Sequence, residues 1–396
     1  HLVSGIVAGI VVAIMSFTGA AIAFEQEILA WVDRDVARVD EPTDGRTLTL
    51  DHLFSLAAEK LPGFSPDSVT LDSDPQTAWL LRKGRDESYY LNPYTGELAE
   101  SRSGSMHDFL HLLEYWHRWL GMEGTGRSVG RAITGACNLA FLFLAVSGLY
   151  LWFPKKWSMR SLRGILWFKQ GLQSKARDFN WHNVIGFWTA PMLIVLIATA
   201  VVMSYGWANN LVYLLSGDEP PEAGQRGPRG GPSVMVEKPE TAVTPLPLDA
   251  LRQKVEETIP DWKSYSLPIP GTSRSSRGGP ERAAPDREDR SRTENKVAAI
   301  SVRVSEKGAW PLFASTTLNL NPFTGDIVNR SDYKDLSSGR KARSWVRFLH
   351  TGAAFGFIGK VIATLVSLTA LVLVWTGFAL TWRRFFKRSA KPQVSG

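Results

Sequence analysis

Four long apolar stretches constrain the fold of this chain more than any other feature. They run over Leu2–Phe24, Ala132–Phe153, Val184–Trp207 and Ala353–Trp382. Each approaches or exceeds the roughly 20 apolar residues that a helix needs to cross a ~30 Å hydrocarbon layer. Long polar segments separate them, whereas a soluble enzyme would scatter its apolar residues with helix or strand periodicity. The sequence therefore predicts an α-helical membrane protein with four transmembrane helices.

The basic residues predict how these spans are oriented, because short loops rich in Lys and Arg stay in the cytoplasm. The loop before the third span carries one acid, Asp178, and these bases: Lys155, Lys156, Arg160, Arg163, Lys169, Lys175 and Arg177. The C-terminal tail is also basic. We therefore place this loop and both termini inside, and the connections Glu25–Arg131 and Asn209–Arg347 outside. The net charge of +7 comes from these local clusters, so no nucleic-acid partner is expected.

The single cysteine and the start of the chain limit other possibilities. Cys137 lies within a span, which excludes an internal disulfide, covalent haem attachment through Cys-x-x-Cys-His and a four-cysteine cluster. The first span ends Ala21-Ile22-Ala23 like a signal-peptidase site, but its apolar run exceeds the roughly 7–15 residues of a signal peptide. We expect it to remain uncleaved. The chain begins without Met, and we expect further basic residues before His1.

Four histidines accompany the four spans. His1 and His182 stand at the start of the first and third, and His117 and His350 stand just before the second and fourth. Spans one and three begin inside, whereas two and four begin outside, so the histidines fall into two pairs at different depths. Imidazole is the commonest metal ligand among side chains. The pairs predict two bis-histidine haems, roughly 20 Å apart in a ~30 Å core. The alternative is that these are ordinary interfacial histidines.

Other residues compete for roles at the outer pair. His111 is six positions from His117, about 240° around a helix, so only one of them can face the bundle; His111 stays open as a substitute ligand. Arg131 and Lys360 occupy equivalent places near the outer face, where cations would pair with haem propionates. The alternative for both is snorkelling to lipid headgroups.

The outer segments contain a repeat. Thr47–Leu53 and Pro245–Leu251 each lead into an amphipathic helix, and Leu91–Glu97 matches Leu320–Asp326 as Leu-Asn-Pro-aromatic-Thr-Gly-acid. Asn-Pro-aromatic-Thr-Gly is turn chemistry between strands. Each outer segment is therefore expected to be a small α+β module. In the second copy, a stretch rich in Gly, Pro, Arg and Ser at about 271–295 is expected to be mobile.

The spans repeat as well. His1-x-x-x-Gly5 matches His182-x-x-x-Gly186. Gly130-Arg131 precedes Ser147-Gly148 by the same interval as Gly359-Lys360 precedes Thr376-Gly377. The repeating unit is span, α+β module, span, so the chain is expected to be internally duplicated. Its segments are 1–24 (first span), 25–108 (module 1), 109–153 (outer helix and second span), 154–180 (basic loop), 181–208 (third span), 209–340 (module 2), 341–385 (fourth span) and 386–396 (tail).

These motifs resemble the PepSY-associated transmembrane family. The Asn-Pro-aromatic-Thr-Gly modules look like PepSY domains, and they lie between His-x-x-x-Gly spans and Ser/Thr-Gly spans that end in Trp. The resemblance implies a reductase of the bacterial inner membrane that binds two non-covalent haem b groups and delivers electrons to a ferric siderophore. No Gly-x-Gly-x-x-Gly nucleotide site is evident, so the electron donor would be a cytoplasmic reductase or a quinol.

Two other functions remain open at this point. PepSY modules also occur as peptide-binding or protease-regulating domains, in which case the spans are anchors and no cofactor is needed. A siderophore or iron permease is the third possibility. Spans without carboxylates argue against the permease, because coupled transporters carry such groups within the membrane.

Overall fold

The computed structural model describes residues 2–84, 87–152, 158–221, 234–239, 244–269 and 296–385. Contacts divide the chain into two units. The membrane unit comprises His1–Glu25, Asp108–Pro220 and Ser338–Gly396, and the sheet unit comprises Gln26–His107 and Pro221–Ser337. The proposed mobile insertion, 271–295, lies outside the described residues.

Helices make up the membrane unit and flank the sheet. They are α1 (Leu2–Ile22), α2 (Glu25–Val32), α3 (Leu50–Lys60), α4 (Gly104–Trp119), α5 (Gly126–Trp152), α6 (Met159–Leu166), α7 (Ser174–Ser204), α8 (Gly206–Leu215), α9 (Leu248–Thr258), α10 (Ser338–His350) and α11 (Gly356–Phe385). Short 3₁₀ turns cover Tyr333–Asp335 and Ala353–Phe355.

Among the described residues, three helical stretches are long and apolar enough to cross a membrane: Gly126–Trp152, Ser174–Ser204 and Ala353–Arg383. A fourth candidate is the pair Ala8–Ile22 and Glu25–Val32, bent by 43°. These stretches agree with the predicted second, third, fourth and first spans. The third differs in its limits, because α7 begins at Ser174, ten residues before the predicted start at Val184. Hydropathy detects only the apolar part of such a helix, whereas its polar first turns are visible only in the structure.

The four long helices form a bundle in which α1 and α7 each pack against both α5 and α11. One buried cluster joins α7 to α11 through Leu193, Ile197 and Leu373. Close packing also needs small residues: a Cβ at Gly9 of α1 would lie 2.6 Å from the ring of Phe378. This arrangement leaves α1 and α7 on one diagonal of the bundle and α5 and α11 on the other.

The sheet unit is built on one eight-stranded antiparallel sheet. Its strands are β1 (Ser68–Asp72), β2 (Trp79–Lys83), β3 (Glu87–Leu91), β4 (Leu98–Glu100), β6 (Trp262–Pro268), β8 (Ile300–Glu306), β9 (Thr316–Leu320) and β10 (Ile327–Ser331). Two further strands, β5 (Met235–Glu237) and β7 (Lys296–Ala298), form a separate pair. The strand order is β10-β9-β8-β6-β1-β2-β3-β4.

The sheet joins the two predicted modules edge to edge. Strands β1 and β6 pair antiparallel, with Val69 opposite Leu267, and on either side of this pair the strands follow in the same order. Inward residues alternate with outward ones, as Val302 and Val304 of β8 show. Both of these valines belong to a single core with Leu53 of α3 and Leu251 of α9. The two α+β segments therefore share one sheet and one hydrophobic core.

The two repeated turns have the same hydrogen bonds. Asn92 Oδ1 accepts from Tyr94 N and Asn321 Oδ1 accepts from Phe323 N, both at 2.9 Å. The glycine of each turn has a positive φ, +69° at Gly96 and +74° at Gly325. The predicted turn chemistry between strands is confirmed at both sites.

Helices α3 and α9 cap each other at their N-termini. Asp249 accepts hydrogen bonds from the backbone nitrogens of Leu50 and Asp51, at 2.9 and 3.0 Å. In return, Asp51 accepts from the nitrogens of Leu248 and Asp249, at 3.1 and 3.3 Å. A carboxylate at a helix N-terminus satisfies free N–H groups and favours the helix dipole. These reciprocal hydrogen bonds tie the N-termini of the two helices together.

Candidate metal-binding histidines

His117 and His350 lie side by side in the membrane unit. Their ring centroids are 6.2 Å apart and their planes are inclined by 52°. His117 stands two residues before the end of α4, and His350 is the last residue of α10. The structure thus brings together the two histidines that the sequence assigns to the outer pair, from helices separated by more than two hundred residues.

Two glycines allow the histidine-bearing helices to approach the spans that follow them. A Cβ at Gly130 of α5 would collide with the carbonyl oxygen of Trp119, at the end of α4. A Cβ at Gly359 of α11 would collide with the carbonyl of Gly352, just after α10. Gly352 itself has a φ of +73°, which a larger residue would adopt only with strain. Gly130 and Gly359 are the glycines that precede Arg131 and Lys360 in the sequence repeat.

Hydrogen-bond acceptors on α1 set the tautomer of His117. Its Nδ1 lies 2.9 Å from the carbonyl oxygen of Met15 and 3.2 Å from Thr18 Oγ1. The Thr18 hydroxyl donates its own hydrogen to the carbonyl of Ile14, at 2.7 Å. Both neighbours of Nδ1 are therefore acceptors, so Nδ1 carries the proton. Nε2 then has the free lone pair that a metal requires.

Helix α7 holds His350 in the same way. The Nδ1 of His350 lies 3.0 Å from the carbonyl oxygen of Leu196 and 3.1 Å from Thr199 Oγ1. The Thr199 hydroxyl donates to the carbonyl of Val195 at 2.8 Å. His350 is therefore also an Nδ1–H tautomer with a basic Nε2. Each ring of the pair is oriented by a different span.

The outer pair fits a metal bound between two imidazoles. Two metal–nitrogen bonds of about 2 Å, with about 1 Å more from each nitrogen to its ring centre, separate opposed ring centres by about 6 Å. The observed 6.2 Å agrees. No group of three or more His, Cys, Asp or Glu side chains that could hold a metal occurs among the described residues. Two histidines alone suit a metal whose remaining bonds come from a macrocycle, as in haem.

The glycine at position 19 gives His117 its space. A Cβ on Gly19 of α1 would lie 2.9 Å from Cε1 and 3.3 Å from Nδ1 of the imidazole. Any larger residue would push the ring away from its hydrogen-bond acceptors. This glycine therefore belongs to the site, although it provides no ligand.

His182 has a comparable environment at the other end of the bundle. Its Nδ1 lies 2.8 Å from Thr376 Oγ1 of α11, and that hydroxyl donates to the carbonyl of Val372 at 2.8 Å. Nδ1 is again the donor and Nε2 is left with a lone pair. His1, the predicted partner of His182, lies outside the described residues.

An ion pair fixes α7 to α11 close to His182. Asp178, one helical turn before His182, lies 2.5 Å from a guanidinium nitrogen of Arg383. The carboxylate side chain is only 5% exposed and also contacts Arg177 at 3.1 Å. The His182–Thr376 and Asp178–Arg383 contacts thus form two successive links between the same helices.

The remaining candidates differ in position. His111 contacts the ring of Tyr115, with centroids 4.7 Å apart, on a different side of α4 from His117. Arg131 is exposed, whereas Lys360 is buried at 7% exposure. The Cα of Lys360 packs against Gly352, two residues after His350. Of the two predicted propionate partners, only Lys360 is enclosed by the protein.

The residues that orient the histidines were not identified from the sequence. The signal was present: Met15 and Leu196 are separated by 181 positions, as are Thr18 and Thr199, and His1 and His182. Aligning the first span with the third places both acceptor pairs at matching positions.

The comparison with known families agrees with this architecture. The family described as the PepSY-associated TM region matches residues 1–384. No curated protein matches the chain.

Proposed function

The chain belongs to the PepSY-associated TM region family, and we propose that it is a haem-containing reductase of the bacterial inner membrane. It would pass electrons across the membrane to the iron of a ferric siderophore and so aid iron release. The proposed cofactors are two non-covalent haem b groups, one on His117 and His350 and one on His1 and His182. When bound, haem iron exchanges single electrons between its ferric and ferrous states.

The observation that carries this proposal is the outer histidine pair. Both rings carry a proton on Nδ1, which donates to the carbonyls of Met15 and Leu196 and leaves Nε2 of the neutral ring available to a metal. Hydrogen-bonding of the second imidazole nitrogen is the usual support for a metal-binding histidine, since it fixes the ring and raises its basicity. Histidines that only anchored helices at the headgroups would not need matched acceptors and a spacing of 6.2 Å.

Two ligand levels at different depths support a path across the membrane. His182 and Leu196, which orients His350, are fourteen residues apart on α7. At about 1.5 Å per residue, fourteen residues span about 21 Å along the helix. This distance agrees with the expected separation of roughly 20 Å between the two haems.

We further propose that the chain arose by duplication and that its two α+β segments are PepSY-like modules. The matched turns at Asn92 and Asn321 support this, as do the reciprocal caps of Asp51 and Asp249. With both termini in the cytoplasm, the sheet unit would lie in the periplasm. The buried Lys360 would pair with a propionate of the outer haem.

The direct test is the haem content of the purified protein. The wild type should contain two haems per chain and show a Soret shift on addition of dithionite. His350→Ala and His182→Ala should each lose one haem, whereas the control His52→Ala, on the outer surface of α3, should lose none. His111→Ala should also retain both.

A second measurement tests the reaction. Dithionite-reduced protein, freed of excess reductant, should be reoxidised by a ferric hydroxamate siderophore with release of Fe(II) to a ferrous chelator. The iron-free siderophore should have no effect. A colourless protein with intact secondary structure would exclude the reductase and leave a cofactor-free peptide-binding role for the PepSY-like modules.

A further inference from the structure

Helix α6 and the turn after it are firmly attached to the start of α7. The buried amide of Asn180 donates to the carbonyls of Gly164 and Trp167, both at 3.2 Å. It also accepts from the backbone nitrogen of Lys169 at 3.0 Å. Trp188 donates to the last carbonyl of α6 at 3.0 Å. This segment therefore presents a defined surface.

The surface is positively charged. Arg163 and Lys169 are both exposed. The Lys169 ammonium lies over the C-terminal half of α6, because a Cβ added at Gly164 would be 3.5 Å from its Nζ. The one acid within residues 158–183 is Asp178. Its carboxylate is buried and ion-paired to Arg383, so it leaves the outward charge of the surface positive.

Large exposed aromatic side chains lie in the same segment as these cations. Trp167, Phe168, Phe179 and Trp181 are between 41% and 62% exposed. Phe168 and Trp181 contact each other edge to face, with centroids 6.4 Å apart. Exposure of several large apolar rings to water is unfavourable, whereas tryptophans together with Lys and Arg are typical of the level where a membrane protein meets lipid headgroups.

We propose that α6 and the start of α7 bind the headgroup of an anionic phospholipid. Arg163 and Lys169 contact its phosphate, and the aromatic rings lie against its glycerol and upper acyl chains. Lipid is the occupant because α7 continues from this surface directly into a candidate span, and because the surface offers cations without an opposing carboxylate. A basic surface beside a membrane attracts anionic lipid in preference to zwitterionic lipid.

Native mass spectrometry of the full-length protein tests this proposal, with equal amounts of phosphatidylglycerol and phosphatidylcholine in the detergent. The wild type should retain phosphatidylglycerol preferentially. Because each basic residue near an anionic surface contributes roughly five-fold to binding, Arg163→Ala/Lys169→Ala should lower retention by about ten- to thirty-fold. The matched control Lys254→Ala/Lys307→Ala removes two exposed cations of the sheet unit and should change nothing.

A charge-preserving variant separates binding from folding. Arg163→Lys/Lys169→Arg keeps both charges and should retain phosphatidylglycerol like the wild type. Equal retention of the two lipids by the wild type would overturn the proposal, as would full retention by the alanine variant. So would an alanine variant that keeps its lipid but loses reduction by an acidic protein donor, since the surface would then be a protein-docking site. The measurements of lipid retention do not depend on haem content.

Discussion

Replacing Thr376 by valine should weaken haem binding at the proposed inner site, His1 and His182, more than replacing Thr199 weakens it at the proposed outer site, His117 and His350. The Thr376 hydroxyl accepts from His182 Nδ1 at 2.8 Å, and valine keeps the shape of the side chain without the oxygen. In Thr199→Val, His350 keeps its bond to the carbonyl of Leu196 at 3.0 Å, whereas in Thr376→Val His182 keeps only its interaction with the carbonyl of Leu373.

The expected magnitudes follow from this difference. A buried donor that loses its acceptor costs about 1–3 kcal/mol, which corresponds to roughly 5- to 150-fold in affinity. Loss of a partner that orients a metal ligand typically costs about 10- to 100-fold. We therefore expect about ten-fold weaker binding in Thr376→Val, near the lower end of these ranges, because His182 keeps its interaction with the carbonyl of Leu373. In Thr199→Val only the longer of two hydrogen bonds is lost, so the effect should stay below about five-fold.

Transfer of haem to excess apomyoglobin, followed in the visible spectrum, measures both sites as separate phases. Thr376→Val should accelerate one phase and Thr199→Val should leave both nearly unchanged. Thr189→Val is the matched control, because its hydroxyl bonds to the carbonyl of Ile185 on the same helix. The reasoning fails if Thr376→Val behaves like this control, or if the two site variants lose haem equally fast.

Three further predictions concern the sheet unit. Asp51→Ala should lower the free energy of unfolding in urea by about 0.5–2 kcal/mol, and adding Asp249→Ala should give a non-additive result, because each aspartate caps the other's helix. Burial raises the pKa of Tyr90 to about 12 from 10.0, so its contribution to stability is present below pH 10 and lost as pH rises towards 12; Tyr90→Phe should flatten that limb of the stability curve. Gly96→Ala should destabilise more than Gly63→Ala, because both have positive φ but only the first meets a leucine side chain, at 2.6 Å.

Features that depend on local sequence were predictable. The length of an apolar run is a property of consecutive residues, so the apolar part of each span could be identified. Turn chemistry is equally local, and Asn-Pro-aromatic-Thr-Gly specified both turns before β4 and β10. The start of α7 at Ser174 was missed, since polar residues can extend a helix beyond the hydrocarbon without changing the hydropathy signal.

Features that join distant residues needed the tertiary structure. The sequence predicted two modules, but it did not show that β1 and β6 pair and merge them into one sheet. It placed Arg131 and Lys360 at equivalent positions near the outer face, whereas packing buries only Lys360. Burial depends on neighbours contributed by other helices, which repeat positions alone do not specify.

The histidines show which properties the sequence determined and which depended on the tertiary structure. Their place beside each apolar run was readable from the sequence, because it depends only on position along the chain. Which nitrogen of His117 and His350 carries the proton was decided by the carbonyls of Met15 and Leu196. Those acceptors lie on other helices, more than a hundred residues away, and reach the imidazoles only when the bundle has packed.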